Sequence, residues 1–144
     1  MSEPKPAGAV VSILFVCAGN TCRSVMAEAL ARRRFGRAAR AESAGLRPQP
    51  AEDARAAIDT LRSLFGLDAS GHVPRAVASV DLDAFDLVVA MDRGVAGSLP
   101  VVGDGKLIVW DIDDPWDEPS GYPACARAID AAVSRLQEHL RKPA

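Results

Sequence analysis

A chain of 144 residues fits one compact domain, and 49% hydrophobic with 25% charged residues is the composition of a globular protein. The net charge of −2 gives no reason to expect a nucleic acid or a membrane as partner, and no apolar run is long enough to span a bilayer. Three cysteines, Cys17, Cys22 and Cys125, lack the spacing of a disulfide framework or a zinc site, so a cytoplasmic chain with free thiols and no metal is expected.

The N-terminal "MSEPKPAGAV" carries two prolines and an acid, lacks the order of a secretory signal, and reads as a flexible tail over 1–9. One domain over 10–142 follows. "AVVSILFV" (Ala9–Val16) is apolar and β-branched without alternation, as in a parallel strand buried on both faces. "SVMAEALARRRF" (Ser24–Phe35) is a helix that buries Met26, Ala27, Leu30 and Phe35. Its basic end, Arg32 to Arg34, reads as solvated. "RAESAGL" is a short strand. "PAEDARAAIDTLRSLFG" is an amphipathic helix with Ala54, Ile58, Leu61 and Leu64 or Phe65 inward, stopped by Gly66. "FDLVVAM" and "GKLIVW" are two more strands, and "DIDDPWDEPSGYP" is a polar loop. The last helix, "ACARAIDAAVSRLQEHLRK", should turn Ala128, Ile129, Ala132, Val133, Leu136 and Leu140 inward and leave His139 exposed.

Strands alternating with helices predict an α/β fold: a single-domain four-stranded parallel sheet with helices on both faces. Such sheets bind ligands beyond the carboxyl ends of their strands. Cys17, Ser43, Asp92 and the Asp-rich loop all fall there. In "CAGNTCRS", Cys17 ends a strand and Arg23 opens a helix. A loop entering a helix N-terminus offers backbone N–H groups to an anion. Ala18 and Gly19 allow a tight curl, and Asn20 tolerates left-handed backbone angles. Arg23 adds a two-pronged contact to phosphate oxygens. A thiol in this field should ionise readily, helped by a Ser24 hydrogen bond.

"VCAGNTCRSVMAEAL" resembles the signature of the low-molecular-weight protein-tyrosine phosphatases. "AESAGL", "GHVPRAV", "FDLVVAMDR" and "DIDDPW" follow in that family's order, so the resemblance runs from Val11 to the last helix. It implies Cys17 as nucleophile, Arg23 as phosphoryl clamp and Asp114 as general acid. It places the backbone of Ala18, Gly19, Asn20, Thr21, Cys22 and Arg23 around the phosphate. Asn20, Ser24, Ser43 and His72 match a network that shapes the loop, while Asp92 matches a position near the site without an assigned role. Asp111, Asp113 and Asp117 are rivals to Asp114, with Asp113 the nearest. The implied partners are a phosphorylated protein and a phosphate or other oxyanion in the loop. No cofactor or metal is implied, because the loop itself neutralises the phosphate. Cys22, five residues from Cys17, is a candidate redox partner for it. Cys125 reads as helix packing and Tyr122 as a packed side chain.

Substrate walls would come from Thr21, Leu46 and Trp116. Thr21 replaces the aliphatic residue of tyrosine-specific members and matches relatives that dephosphorylate protein arginine. Val25 replaces a common proline. Phosphotyrosine hydrolysis is the first reading and phosphoarginine hydrolysis the second. An arsenate reductase, which needs further mid-chain cysteines, and a non-catalytic phosphopeptide-binding module are weaker ones.

Overall fold

Ile13, Leu14, Phe15 and Val16 are all withdrawn from solvent, which only a strand covered on both faces achieves. They form strand β1 (Val11–Cys17) of a computed structural model that describes residues 9–141. The expected tail therefore lies, except for Ala9, outside the described residues, as does Lys142. Helix α1 (Arg23–Phe35) follows, then β2 (Ala39–Gly45), α2 (Arg55–Phe65), β3 (Leu87–Ala90), α3 (Arg93–Gly97), β4 (Leu107–Val109) and α4 (Tyr122–Arg141). All strands pair in parallel in the order β2-β1-β3-β4. The chain leaves β1 toward β2 on one side and returns to β3 on the other. That reversal opens a crevice at the carboxyl ends of β1 and β3.

Alternation along the strands builds two cores. Ile13, Phe15, Cys17, Val89 and Met91 face α1, α2 and α4. Leu14, Val16, Ala44, Val88 and Ala90 pack against Val77, Leu82, Phe85 and Val95. These come from short 3₁₀ turns and the five-residue α3, so the second face has a thinner helical cover than the first. Burying each large aliphatic or aromatic side chain contributes about 1.5–3 kcal/mol.

Three expectations need correction. Ala128 is exposed: the inward stripe of α4 runs through Cys125, Ile129, Ala132, Val133 and Leu136, and Ala128 lies off it. The arginines at the end of α1 are not simply solvated. Arg32 Nε donates to the Ala41 carbonyl, Arg33 lies over the Phe65 ring, and Arg34 makes two bonds to Asp130 of α4. The helix expected from Pro50 begins as a 3₁₀ turn, Ala51–Ala54, and becomes α-helical at Arg55. Gly66 does end it, in the left-handed conformation at φ 66°. Among the described residues no helix is long and apolar enough to cross a membrane.

Candidate active site

The loop between β1 and α1 turns its carbonyls outward. Those of Cys17, Ala18 and Gly19 accept from the N–H groups of Leu46 (3.1 Å), Arg47 (2.8 Å) and Gln49 (3.0 Å). The Asn20 carbonyl meets His72 Nε2 at 2.7 Å, and since a carbonyl only accepts, the ring nitrogen carries the proton. A trans peptide sets each following N–H opposite its carbonyl. The N–H groups of Ala18, Gly19, Asn20 and Thr21 are thereby directed to the inner side of the loop. Asn20 sustains the turn with φ 56°, and Gly45, level with Cys17 on β2, lies directly against the loop backbone.

Cys17 is buried and its Sγ lies 2.9 Å from Ser24 Oγ. Asn20 Nδ2 donates to both Ser24 Oγ and Ser43 Oγ. The four polar residues expected to shape the loop are thus brought together. Sequence reading missed their supports. Glu28 accepts from Ser43, and Arg75 donates its N–H to Asn20 Oδ1 and its Nε to the Ser43 carbonyl. "MAEAL" and "HVPRA" contain these residues, but nothing local in either stretch announces a partner.

Arg23 is only 2% exposed. One terminal nitrogen donates to Asp92 Oδ2 (2.7 Å) and to the Ile112 carbonyl (2.8 Å), and the other lies 3.5 Å from Asp114 Oδ2. Its Nε is buried without a hydrogen-bond partner among the described residues. A buried donor beside inward N–H groups is the complement of an oxyanion. Burial pulls Arg23 down, but the Asp92 hydrogen bond and the charges of Asp114, Cys17 and Asp92 outweigh it and raise it above its ordinary value. Burial pushes Asp92 up; the Arg23 hydrogen bond and the Val95 N–H outweigh that and hold its carboxyl below the usual range. Asp92 also caps α3, accepting the Val95 N–H at 2.8 Å, which supplies the role the sequence left open.

Within the Asp-rich loop it is the Asp114 carboxylate that reaches Arg23, while Asp113 contributes its carbonyl to Cys125 Sγ (3.6 Å). The Trp116 N–H donates to Asp114 Oδ1 (3.2 Å), and Trp116 is 71% exposed. Thr21 is buried in the loop and Leu46 packs on the second core. Val25, in place of proline, is buried too. Cys22 is buried, and the Cys125 and Tyr122 side chains of α4 act on it. The influence of Cys125 and then burial push the Cys22 thiol up, while Cys22 pulls Cys125 down. Burial, followed by the charge of Cys22, raises the Tyr122 hydroxyl, which is packed rather than presented. Among the described residues no group of three or more His, Cys, Asp or Glu is placed to hold a metal ion.

A parallel α/β domain with a thiol, an oxyanion cradle and a carboxyl group at its switch point defines a class of phosphate-handling proteins. Residues 12–144 match the model of the family described as low molecular weight phosphotyrosine protein phosphatase, and the chain belongs to that family. It is 38% identical over 99 residues to the low molecular weight protein-tyrosine-phosphatase YfkJ of Bacillus subtilis, a match covering 62% of each chain. It is 30% identical over 128 residues to arsenate reductase 1 of Staphylococcus haemolyticus, covering 88% of this chain and 92% of that one. Among solved structures, the low molecular weight protein tyrosine phosphatase of T. tengcongensis superposes with a TM-score of 0.79 at 30% identity, over 90% of this chain and 99% of that one. The YwlE arginine phosphatase of Geobacillus stearothermophilus gives 0.75 at 26% identity, over 91% and 93%.

Proposed function

We propose that this chain hydrolyses phosphotyrosine on proteins through a cysteinyl-phosphate intermediate on Cys17. The observation that carries the reading is the buried Arg23 Nε, unpartnered among the described residues, beside a loop whose Cys17, Ala18, Gly19 and Asn20 carbonyls are turned away. The Cys17 thiolate attacks phosphorus as the bond to the phenolic oxygen breaks, and Asp114 gives that oxygen its proton. Arg23 and the N–H groups of residues 18–23 hold the three equatorial oxygens. Water then attacks phosphorus, Asp114 takes its proton, and the sulfur–phosphorus bond breaks to return the thiolate and release phosphate. Trp116 and Leu46 are proposed as walls for the ring. Residues 10–142 form the proposed catalytic domain, working in the cytoplasm, where the thiols stay reduced.

The test is a leaving-group survey on purified protein with aryl phosphate, phosphotyrosine and phosphoarginine peptides, together with acid-quench trapping. A phosphorylated Cys17 and preference for phosphotyrosine are expected; turnover surviving in Cys17→Ser would reject the nucleophile. Phosphoarginine is the second reading, favoured by the Thr21 hydroxyl buried in the loop. Thr21→Ile should then move preference toward phosphotyrosine, and an unmoved ratio rejects a Thr21 role. Cys22 is proposed to capture Cys17 after peroxide oxidation, as the sulfenic acid condenses with its thiol and loses water. Intact mass should show a loss of two hydrogens that reductant reverses; a sulfinic product instead rules Cys22 out.

A further inference from the structure

Cys17 ends a hydrogen-bonded chain whose far end is a carboxylate. Ser43 Oγ donates to Glu28 Oε1 at 2.9 Å. Asn20 Nδ2 donates to Ser43 Oγ at 3.0 Å and to Ser24 Oγ at 2.9 Å, and Ser24 Oγ lies 2.9 Å from Cys17 Sγ. Counting protons fixes the direction of each link up to Ser24, and of the last link once Cys17 is a thiolate. An ionised carboxylate only accepts, so Ser43 commits its single proton to Glu28. Ser43 Oγ then only accepts, and the Asn20 amide must offer it Nδ2 rather than Oδ1. The Arg75 N–H, 3.0 Å from Asn20 Oδ1, supports the same orientation from the other end, and the Ser43 proton held by Glu28 completes it. Ser24 accepts the second Nδ2 proton, and against a Cys17 thiolate, which only accepts, its own proton goes to the sulfur. A reversed amide would set Oδ1 against both serines and draw the Ser24 proton away from Cys17. It would also leave Ser43 with two acceptors and one proton.

We propose that Glu28 is a positioning residue: by holding the Ser43 proton it fixes the direction of the chain that delivers the Ser24 hydroxyl proton to Cys17. Glu28 touches no reacting atom and acts through Ser43, Asn20 and Ser24. It stands one helical turn beyond Ser24 on α1, and its other oxygen lies 3.5 Å from Arg32, an ion pair along the helix that steadies the carboxylate. This role presupposes the Cys17 nucleophile proposed above.

The test uses the full chain with an aryl phosphate. Glu28→Met keeps length and helix propensity but removes the acceptor, and should lower kcat about tenfold, the worth of one hydrogen bond, with KM little changed. Glu28→Gln keeps an acceptor oxygen and should stay within about twofold of wild type, the margin expected of an intact link. Ser43→Ala cuts the same link from the other side and should reproduce the Glu28→Met loss. In a Ser24→Ala background, where the chain no longer reaches sulfur, Glu28→Met should cost less than about twofold more. An equal cost in both backgrounds, a Gln variant as slow as the Met variant, or full activity in Ser43→Ala overturns the proposal. If Glu28→Met does not fold, Ser43→Ala in the two backgrounds gives the same comparison. Full turnover in Cys17→Ser would instead sink the nucleophile itself, whatever Glu28 does.

Discussion

A methyl group on Gly45 would lie 2.7 Å from the Asn20 amide nitrogen, 2.9 Å from the Gly19 carbonyl carbon and 3.0 Å from the Ala18 oxygen. All three are backbone atoms of the loop, so no side chain can turn aside. Gly45→Ala should therefore displace the cradle and lower kcat/KM about a hundredfold, as small misplacements do at a reacting centre. Steady-state kinetics on an aryl phosphate check this, and unchanged kinetics would show that the loop yields. Asp114 is tested by its leaving group. Asp114→Asn should cost roughly a hundredfold or more in kcat on phosphotyrosine, and far less on p-nitrophenyl phosphate, whose leaving group needs no proton. An equal loss on both would assign Asp114 to holding Arg23, which it already approaches at 3.5 Å. At this scale the strand-to-helix loop brought Cys17 and Arg23 forward, while Asp114 stood out from Asp113 only through the family resemblance; the structure sets its carboxylate 3.5 Å from Arg23. Gly45, Glu28 and Arg75 escaped, because their partners are 15 or more positions away, as in the Ser43–Glu28 and Arg75–Asn20 bonds.

Helix α3 has only five residues, Arg93–Gly97, and owes its start to Asp92, which caps it and also binds Arg23. One carboxylate thereby joins the strand-end crevice to a helix start. Its folded value is lowered, so its contribution is complete above the ordinary aspartate value of about 3.9 and is lost as pH falls through the folded one. Asp92→Asn keeps a capping side chain and removes the charge. Wild type should exceed it in urea midpoint at pH 7, and the gap should close at acid pH. A gap independent of pH would mean that the charge contributes nothing. Most strand and helix identities were legible because their signals are local: the unbroken apolar run at Ile13–Val16 marks β1, and helical spacing marks the α4 stripe apart from Ala128, whereas the five-residue α3 was not foreseen. What each arginine at the end of α1 touches was not, since Asp130 and the Phe65 ring arrive from α4 and α2. The 3₁₀ start ahead of α2 was hidden as well, since the helical periodicity already runs through it.

Across the whole molecule the cradle is built on one sheet and held by one thick helical layer. The order β2-β1-β3-β4 sets the Cys17 loop between Gly45 on one side and Asp92 on the other. Helices α1, α2 and α4 pack behind it in the larger core. Sequence patterning predicted the sheet, because alternating strands and helices leave few parallel arrangements. The thin second face, closed by turns, has no periodic signal to read. This division of labour separates stability from catalysis. Ile129 is fully buried on α4 among core residues, and no hydrogen bond of the Cys17 chain runs through α4. Ile129→Ala should therefore lower unfolding stability by about 2–5 kcal/mol through lost contacts and a cavity. The urea midpoint should fall with its slope unchanged, because the unfolded chain exposes nearly the same surface. A domain of ordinary stability, about 5–15 kcal/mol, stays mostly folded after such a loss, so kcat at 25 °C should hold near wild type. Gly45→Ala predicts the reverse pairing, with activity lost and the midpoint moved less. If Ile129→Ala cost activity in proportion to stability, the helical layer would be setting the geometry of the loop as well as supporting it.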